Sequence, residues 1–266
     1  MPFELADYEK GQPYKGDYAA DLARLKRRLA RVQSALIVQR ARSIILFEGW
    51  KAAGKGGVIR QLASSWDQRW CAVWPVGLPN QIDQEHHFLK RFWHRLPPRG
   101  TISILDGSWY GRVLGERVEG ACGQDDWNRA YDEINEFEAQ QRDAGTLIIK
   151  IFVHITPETQ DRRFKGRLQD PWKRWMVGPE DFHHRACRDA FLNAYAEMFQ
   201  RCDTHWAPWT VVDGNRKKAA RIKCLTIIAE QLEKWIELEP AEISPEVQGL
   251  AMAAWGEEQP LSASDG

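Results

Sequence analysis

The stretch that decides the fold is Gly49-Trp50-Lys51-Ala52-Ala53-Gly54-Lys55-Gly56-Gly57. An apolar β-type run, Ser43 to Glu48, precedes it, and a helix-forming segment, Val58 to Trp66, follows. Strand, glycine-rich turn, lysine and helix is the order of a phosphate-cradling loop. Backbone N–H groups and a helix N-terminus hold anionic oxygens there, and the lysine adds a point charge. Gly49, Gly54 and Lys55 meet the G-x4-G-K spacing, so Gly49, Ala52, Ala53, Gly54, Lys55, Gly56 and Gly57 are the expected phosphate- or nucleotide-binding residues of the loop. Gly56 stands where the usual motif has Ser or Thr. That hydroxyl normally ligates Mg²⁺, so a metal here needs another oxygen.

A chain of 266 residues is long enough for one large α/β domain with a substantial core. Its 37 basic residues balance 37 acidic ones, so any polyanion site must be local rather than a property of the whole molecule. No binding module for nucleic acid is recognisable, and no nucleic-acid partner is expected. Apolar runs fall far short of a membrane span, and no membrane partner is expected. The first residues, Met1 to Asp7, lack the basic-then-apolar order of a secretory signal. The five cysteines are widely spaced and include no C-x-x-C pair, which suits reduced thiols in a cytoplasmic protein. Thirteen tryptophans suit core and interface packing, with an aromatic sandwich around a nucleotide base as the alternative.

Residues 1–16 form an expected irregular N-terminal arm. Asp17 is placed to cap a helix running to Arg40, with Leu22, Leu25, Leu29, Val32 and Leu36 at helical spacing. Strands are then expected at 44–47, 71–76, 101–106, 147–153 and 210–213. Helices are expected at 55–66, 83–94, 127–142, 157–168, 179–201 and 216–237. Strand–helix alternation with buried-type strands predicts a three-layer α/β/α fold around a five-stranded parallel sheet. Residues 17–237 make the expected domain. A tail over 238–266, rich in Pro, Glu and Ser, is expected to be partly disordered, with a short helix at 245–255.

Asp106 ends the third predicted strand, on the side of the sheet where ligands bind, and is the candidate metal ligand for Mg²⁺. A turn cap before Gly107-Ser108 is the alternative. Arg112, six residues on, is placed to reach phosphoryl oxygens. The segment from Arg162 to Arg174 concentrates Arg162, Arg163, Lys165, Arg167, Lys173 and Arg174. Beside a phosphate loop it suits a mobile helical lid over about 160–182, with Arg163 and Arg167 as candidate phosphate contacts. A solvated basic helix is the alternative. His86-His87 and His183-His184 are adjacent pairs that face apart on a helix, so a zinc site is not expected.

Taken together, these residues resemble the polyphosphate kinase family 2. The resemblance runs from about Asp17 to about Trp235. It rests on the loop from Phe47 to Gly57 with its double glycine, on Asp106-Gly107-Ser108-Trp109-Tyr110-Gly111-Arg112, and on Glu116-Arg117-Val118. Asn135 to Glu138, Gln160 with Arg163-Phe164, Trp175 with Asp181, and Ala207-Pro208-Trp209 continue the series. The resemblance implies a kinase-like P-loop fold, Mg²⁺ as cofactor, and phosphoryl transfer between inorganic polyphosphate and a nucleoside mono- or diphosphate. It implies catalytic roles for Lys55, Asp106, Arg112 and Arg117, and it suggests a symmetric homo-oligomer. The family normally has aspartate at the position of Lys51, and commonly arginine at Gly107 and lysine at Met176. Lys51 therefore inverts a charge at a catalytic position, where a second lysine can supply electrostatically what a cation would. Two other readings stay open. One is a relative that binds polyphosphate or nucleotide with little turnover. The other is an ATP-dependent kinase for a small molecule.

Overall fold

A computed structural model describes residues 3–256. Five strands, β1 (Arg42–Gly49), β2 (Cys71–Pro75), β3 (Ile102–Asp106), β4 (Thr146–His154) and β5 (Trp209–Asp213), form one sheet. Their order is β2-β3-β1-β4-β5, and every pairing is parallel. β1 is central, and Ile44 to Phe47 are buried on both faces, as a helix-covered parallel strand requires. The helices of eight residues or more are α1 (Tyr18–Val38), α2 (Lys55–Ala63), α3 (Gln124–Asp143), α4 (Pro157–Gln169), α5 (Pro179–Ala186), α6 (Arg188–Cys202), α7 (Lys217–Trp235) and α8 (Pro245–Trp255). α1, α2 and α7 pack together over one face; α3 and α6 pack over the other. The three-layer expectation holds.

α1 begins as its sequence predicts. The Asp17 carboxylate accepts from the amides of Ala19 and Ala20, and Leu25, Leu29, Val32 and Leu36 turn into the core. Two expected helices are each divided. Residues 83–94 hold only two short helical turns, Gln81–Gln84 and Lys90–Trp93. Asn80 and Asp83 cap the first turn reciprocally, yet its Ile82 is exposed; the core-facing residues are Phe88 and Leu89, in the turn that leads into the second, and Phe92 within it. One continuous helix could not present both. The segment 179–201 breaks at Cys187, where α5 ends and α6 begins with Arg188 turned inward to the Ile155 carbonyl. α8 matches the predicted 245–255 helix; the last ten residues of the expected disordered tail lie outside the described residues.

Register sets the functional edge. Phe47 pairs with Asp106, Gly49 with Val153 and His154 with Asp213, so four strands deliver their carboxyl ends side by side. Parallel sheets bind ligands at this edge, where the neighbours of β1 diverge to either side. A buried charge network holds the segment leaving β3. Lys150 on β4 is fully buried, and its ammonium donates to Glu138 Oε2 (2.9 Å), the Tyr110 hydroxyl (3.0 Å) and the Cys202 carbonyl (2.8 Å). Glu138 Oε1 accepts from Trp109 Nε1 (2.9 Å) and the Tyr110 hydroxyl (2.8 Å). All three ammonium donors are used, which is what makes a charge tolerable at this depth.

Replacing Lys150 by Met leaves the Glu138 carboxylate buried without a counter-charge. The expected loss of stability is about 3–5 kcal/mol in urea denaturation. Adding Glu138→Gln, whose Oε1 still accepts from Trp109 and Tyr110, is expected to recover most of it. A single variant as stable as wild type would mean that Lys150 does not neutralise Glu138.

Candidate functional site

The loop between β1 and α2 is held from behind by side chains that are remote in sequence. Gly49 has a φ of +127°, and a methyl group there would collide with the Val153 carbonyl. Only glycine lets β1 lie this close to β4. Trp50 is fully buried; its ring meets Tyr195 edge-on at 4.9 Å, and the Arg188 guanidinium lies 3.8 Å from its centroid. Gln160 Nε2 donates to the Lys51 carbonyl (2.9 Å). Arg163 Nη1 donates to the carbonyls of Ala52 (2.8 Å) and Ala53 (2.7 Å), while its Nη2 reaches Gly214 O (2.6 Å). Ala52 takes a left-handed φ of +61° and Gly54 one of +106°. The loop carbonyls are thus engaged by side chains. Among the described residues, the amides of Lys51, Ala52, Gly54, Lys55 and Gly56 find no protein acceptor. A run of free donors at the start of α2 is an anion site. Lys55 Nζ donates to Gly49 O (2.9 Å) at the root of the loop.

The opposite wall carries carboxylates. Asp106 closes β3, and its Oδ2 is 3.9 Å from where a β-carbon on Gly56 would sit. Glu48 is buried beside it and accepts from Ser108 Oγ (2.7 Å). Burial pushes the Glu48 carboxyl above its ordinary value; Lys55 and the Ser108 hydroxyl oppose this, and Asp106 adds to it. No group of three or more metal-ligating side chains is found among the described residues. That donor set still fits Mg²⁺, which takes one or two protein carboxylates and completes its shell with phosphate oxygens and water. Asp106, with Glu48 behind it, would supply the protein's share.

The cleft has a volume of about 1420 Å³, and twelve lysines and arginines line it against five carboxylates. Lys51, Lys55, Asp106, Arg163 and Arg167 all border it, as do the loop residues from Gly49 to Gly57. Arg112 and Arg117 do not. Arg112 Nη1 pairs with Glu116 Oε2 (2.8 Å), and its guanidinium lies over the Phe88 ring. Arg117 Nη1 binds Glu197 (2.6 Å) and the Tyr131 hydroxyl (2.8 Å), stacked 3.9 Å from the Trp127 centroid. Arg163 is spent on backbone carbonyls. Burial, followed by Arg162, Arg167 and Arg221, lowers it to about 10.

Four cleft residues escaped the sequence reading. Lys217 and Arg221 open α7, and a guanidinium nitrogen of Arg221 is 3.0 Å from where a β-carbon on Gly57 would sit. Burial lowers Lys217, and Arg163, Arg221, Arg167 and Lys173 lower it further, so positive charge is concentrated here. The signal was the run Arg216-Lys217-Lys218 directly after a strand end. His184 is buried at the cleft, stacked on Phe191 at 3.8 Å, and its Nδ1 has no hydrogen-bond partner among the described residues. Burial, then Lys55 and Lys51, pushes it down to about 3, so it is neutral at physiological pH. Glu48 is the fourth, legible only as a carboxylate at the end of an otherwise apolar strand.

Two substitutions test this construction. Glu48→Gln keeps the acceptor for Ser108 and removes the buried charge. A carboxyl whose folded pKa is raised costs stability as pH rises past its unfolded value of 4.5. The variant is therefore expected to melt higher than wild type at pH 8 and alike below pH 4.5. Equal melting at both pH values would deny the buried charge. Gly49→Ala should cost at least the ~3 kcal/mol at the top of the overpacking range, read in urea denaturation; a smaller loss would mean that β1 and β4 can part there freely.

The polyphosphate kinase 2 family model matches residues 12–238. The polyphosphate:AMP phosphotransferase of Pseudomonas syringae pv. tomato is 41% identical over 233 residues, which cover 87% of this chain and 46% of that protein. ADP-polyphosphate phosphotransferase 3 of Rhizobium meliloti is 35% identical over 217 residues, 82% of this chain and 76% of that one. The crystal structure of polyphosphate kinase 2 from Arthrobacter aurescens superimposes with a TM-score of 0.86 at 29% identity, covering 95% of this chain and 93% of that one. The chain spans about half the length (46–48%) of the polyphosphate:AMP phosphotransferases it matches. On the extent of the family match and the likeness of the fold, the chain belongs to the polyphosphate kinase 2 family.

Proposed function

We propose that this chain transfers a phosphoryl group between inorganic polyphosphate and a nucleoside mono- or diphosphate, with Mg²⁺. The observation that carries this reading is the set of free loop amides opening onto a cleft lined by twelve cationic side chains. Such a surface suits a polyanion better than a small neutral substrate. The loop amides and Lys55 hold the transferring phosphate. Lys51, exposed at the mouth, and Arg167, Lys173, Lys217 and Arg221 along the wall neutralise the chain on either side of it. Asp106 would hold the metal, which supplies charge neutralisation on the phosphoryl oxygens. Residues 160–182 act as a lid that brings Arg167 and Lys173 onto the phosphates and excludes water. Arg163 serves by holding the loop, and Arg112 and Arg117 by holding the segment after β3. The five free thiols are in keeping with a cytoplasmic setting. No helix among the described residues is long and apolar enough to cross a membrane.

Lys51 favours a second reading, in which the cleft grips polyphosphate with little turnover. One assay separates the two. Purified protein is given long-chain polyphosphate with AMP, ADP or GDP, with Mg²⁺ or with EDTA. Metal-dependent formation of the next higher nucleotide is expected, and Asp106→Asn should lower kcat by about 10²-fold or more. No product with any acceptor, together with salt-weakened polyphosphate binding and a gain of turnover in Lys51→Asp, would establish the binding reading instead. Product from ATP and a small molecule, but none from polyphosphate, would overturn both.

A further inference from the structure

The segment before α1 is tied to the phosphate loop through a single imidazole. Residues 3–16 hold only one short helical turn, Leu5–Tyr8, yet their path is pinned at several points. The Phe3 ring lies 4.9 Å from that of Phe199. The Gly11 amide donates to Asp213 Oδ2 (2.7 Å), and its carbonyl accepts from Arg216 Nε (3.0 Å). Pro13 and Tyr14 then border the cleft itself. Between these points Glu9 Oε1 lies 2.9 Å from His154 Nε2. The other nitrogen of that ring, Nδ1, lies 2.9 Å from Trp50 Nε1.

This arrangement fixes the proton. An indole N–H can only donate, so His154 Nδ1 must offer its lone pair. The single proton of the neutral ring is then on Nε2, where it donates to Glu9. Glu9 therefore holds the one tautomer that can receive Trp50. Burial keeps the imidazole below its ordinary value; Arg188 from α6 acts in the same direction, and Glu9 from the arm and Asp213 from β5 oppose it. Trp50 is the second residue of the loop, and the Arg188 guanidinium presses on its ring. With Glu9 removed, only the Trp50 N–H itself opposes movement of the ring proton to Nδ1, where two N–H groups would confront each other, so the seat of Trp50 is weakened.

We propose that Glu9 is a positioning residue for the phosphate-binding loop, acting through His154 on Trp50, and that the N-terminal arm is a working part of the site. The role rests on the reading of that loop as a phosphate site, but it can be measured without turnover. Hydrogen exchange at the two protected donors of the loop, the Trp50 indole N–H bonded to His154 and the Ala53 amide bonded to the Trp50 carbonyl, is compared in wild type, Glu9→Ala and Glu9→Gln, with the amides of β1 and β4 as internal reference. Glu9→Ala is expected to speed loop exchange by about tenfold, the factor that one net hydrogen bond supplies, while the strands keep wild-type protection. Glu9→Gln, whose side-chain oxygen accepts the same bond, is expected to stay close to wild type. The ¹⁵N signature of His154 should report the Nε2–H tautomer in wild type and an increased share of the Nδ1–H form in Glu9→Ala. If polyphosphate turnover is present, kcat/KM falls in Glu9→Ala and returns in Glu9→Gln. Unchanged loop exchange in Glu9→Ala would overturn the proposal. So would loosening of loop and strands together, which marks general stability, or a Glu9→Gln as impaired as Glu9→Ala. If wild type turns over no nucleotide, the proposed activity fails, yet the exchange data still decide the role of Glu9.

Discussion

The structure depends on one close approach. β1 can lie against the end of β4 only because residue 49 has no side chain. That contact delivers the next four residues to a fixed place, where Trp50 meets His154 and Arg188, Lys51 meets Gln160, and Ala52 and Ala53 meet Arg163. Each partner takes a ring or a carbonyl, and the amides are what remain. The capacity to bind an anion is thus a residue of packing: the donors are free because the acceptors beside them are occupied.

Electrostatics follow the same economy. A chain of zero net charge sustains a cationic cleft by settling its other charges locally. Glu138 is matched by Lys150 in the core, and Glu197 and Glu116 are matched by Arg117 and Arg112. Arg163, Arg167, Lys217 and Arg221 around the loop have no such carboxylate partner among the described residues, and their charges depress one another, as at Arg163 and Lys217. A surface of that kind is held at some cost to stability, which a polyanion would relieve.

Much of this was legible in the sequence because it is local. The 49–57 spacing, the Asp17 cap and the unbroken apolar strands each need only neighbouring residues to be read. What escaped depends on contacts between distant segments. Lys150 sits in a strand that is otherwise apolar, and only the Glu138, Tyr110 and Cys202 groups around it explain why it is tolerated. Arg163 is identifiable as belonging to the site, but nothing near it in sequence says that four backbone carbonyls would claim it. Arg112 and Arg117 look alike as free cations until Glu116, Glu197 and the aromatic rings are placed. Helices 83–94 and 179–201 were read too long because helical spacing persists across both breaks, while the buried face changes.

The reach of Arg163 has a consequence for how the molecule is made. Its guanidinium joins the loop at 52–53 to the turn at 214, which are separated by most of the sheet in chain order. The loop leaves the ribosome before its braces at 154, 163, 188 and 214, which follow 100 or more residues later. Contacts of such high sequence separation form only after the entropy of closing long loops has been overcome. The phosphate cradle therefore cannot be completed until those distant segments are made and packed, and a nascent or partly folded copy carries its lysines and arginines without the geometry that makes them a site.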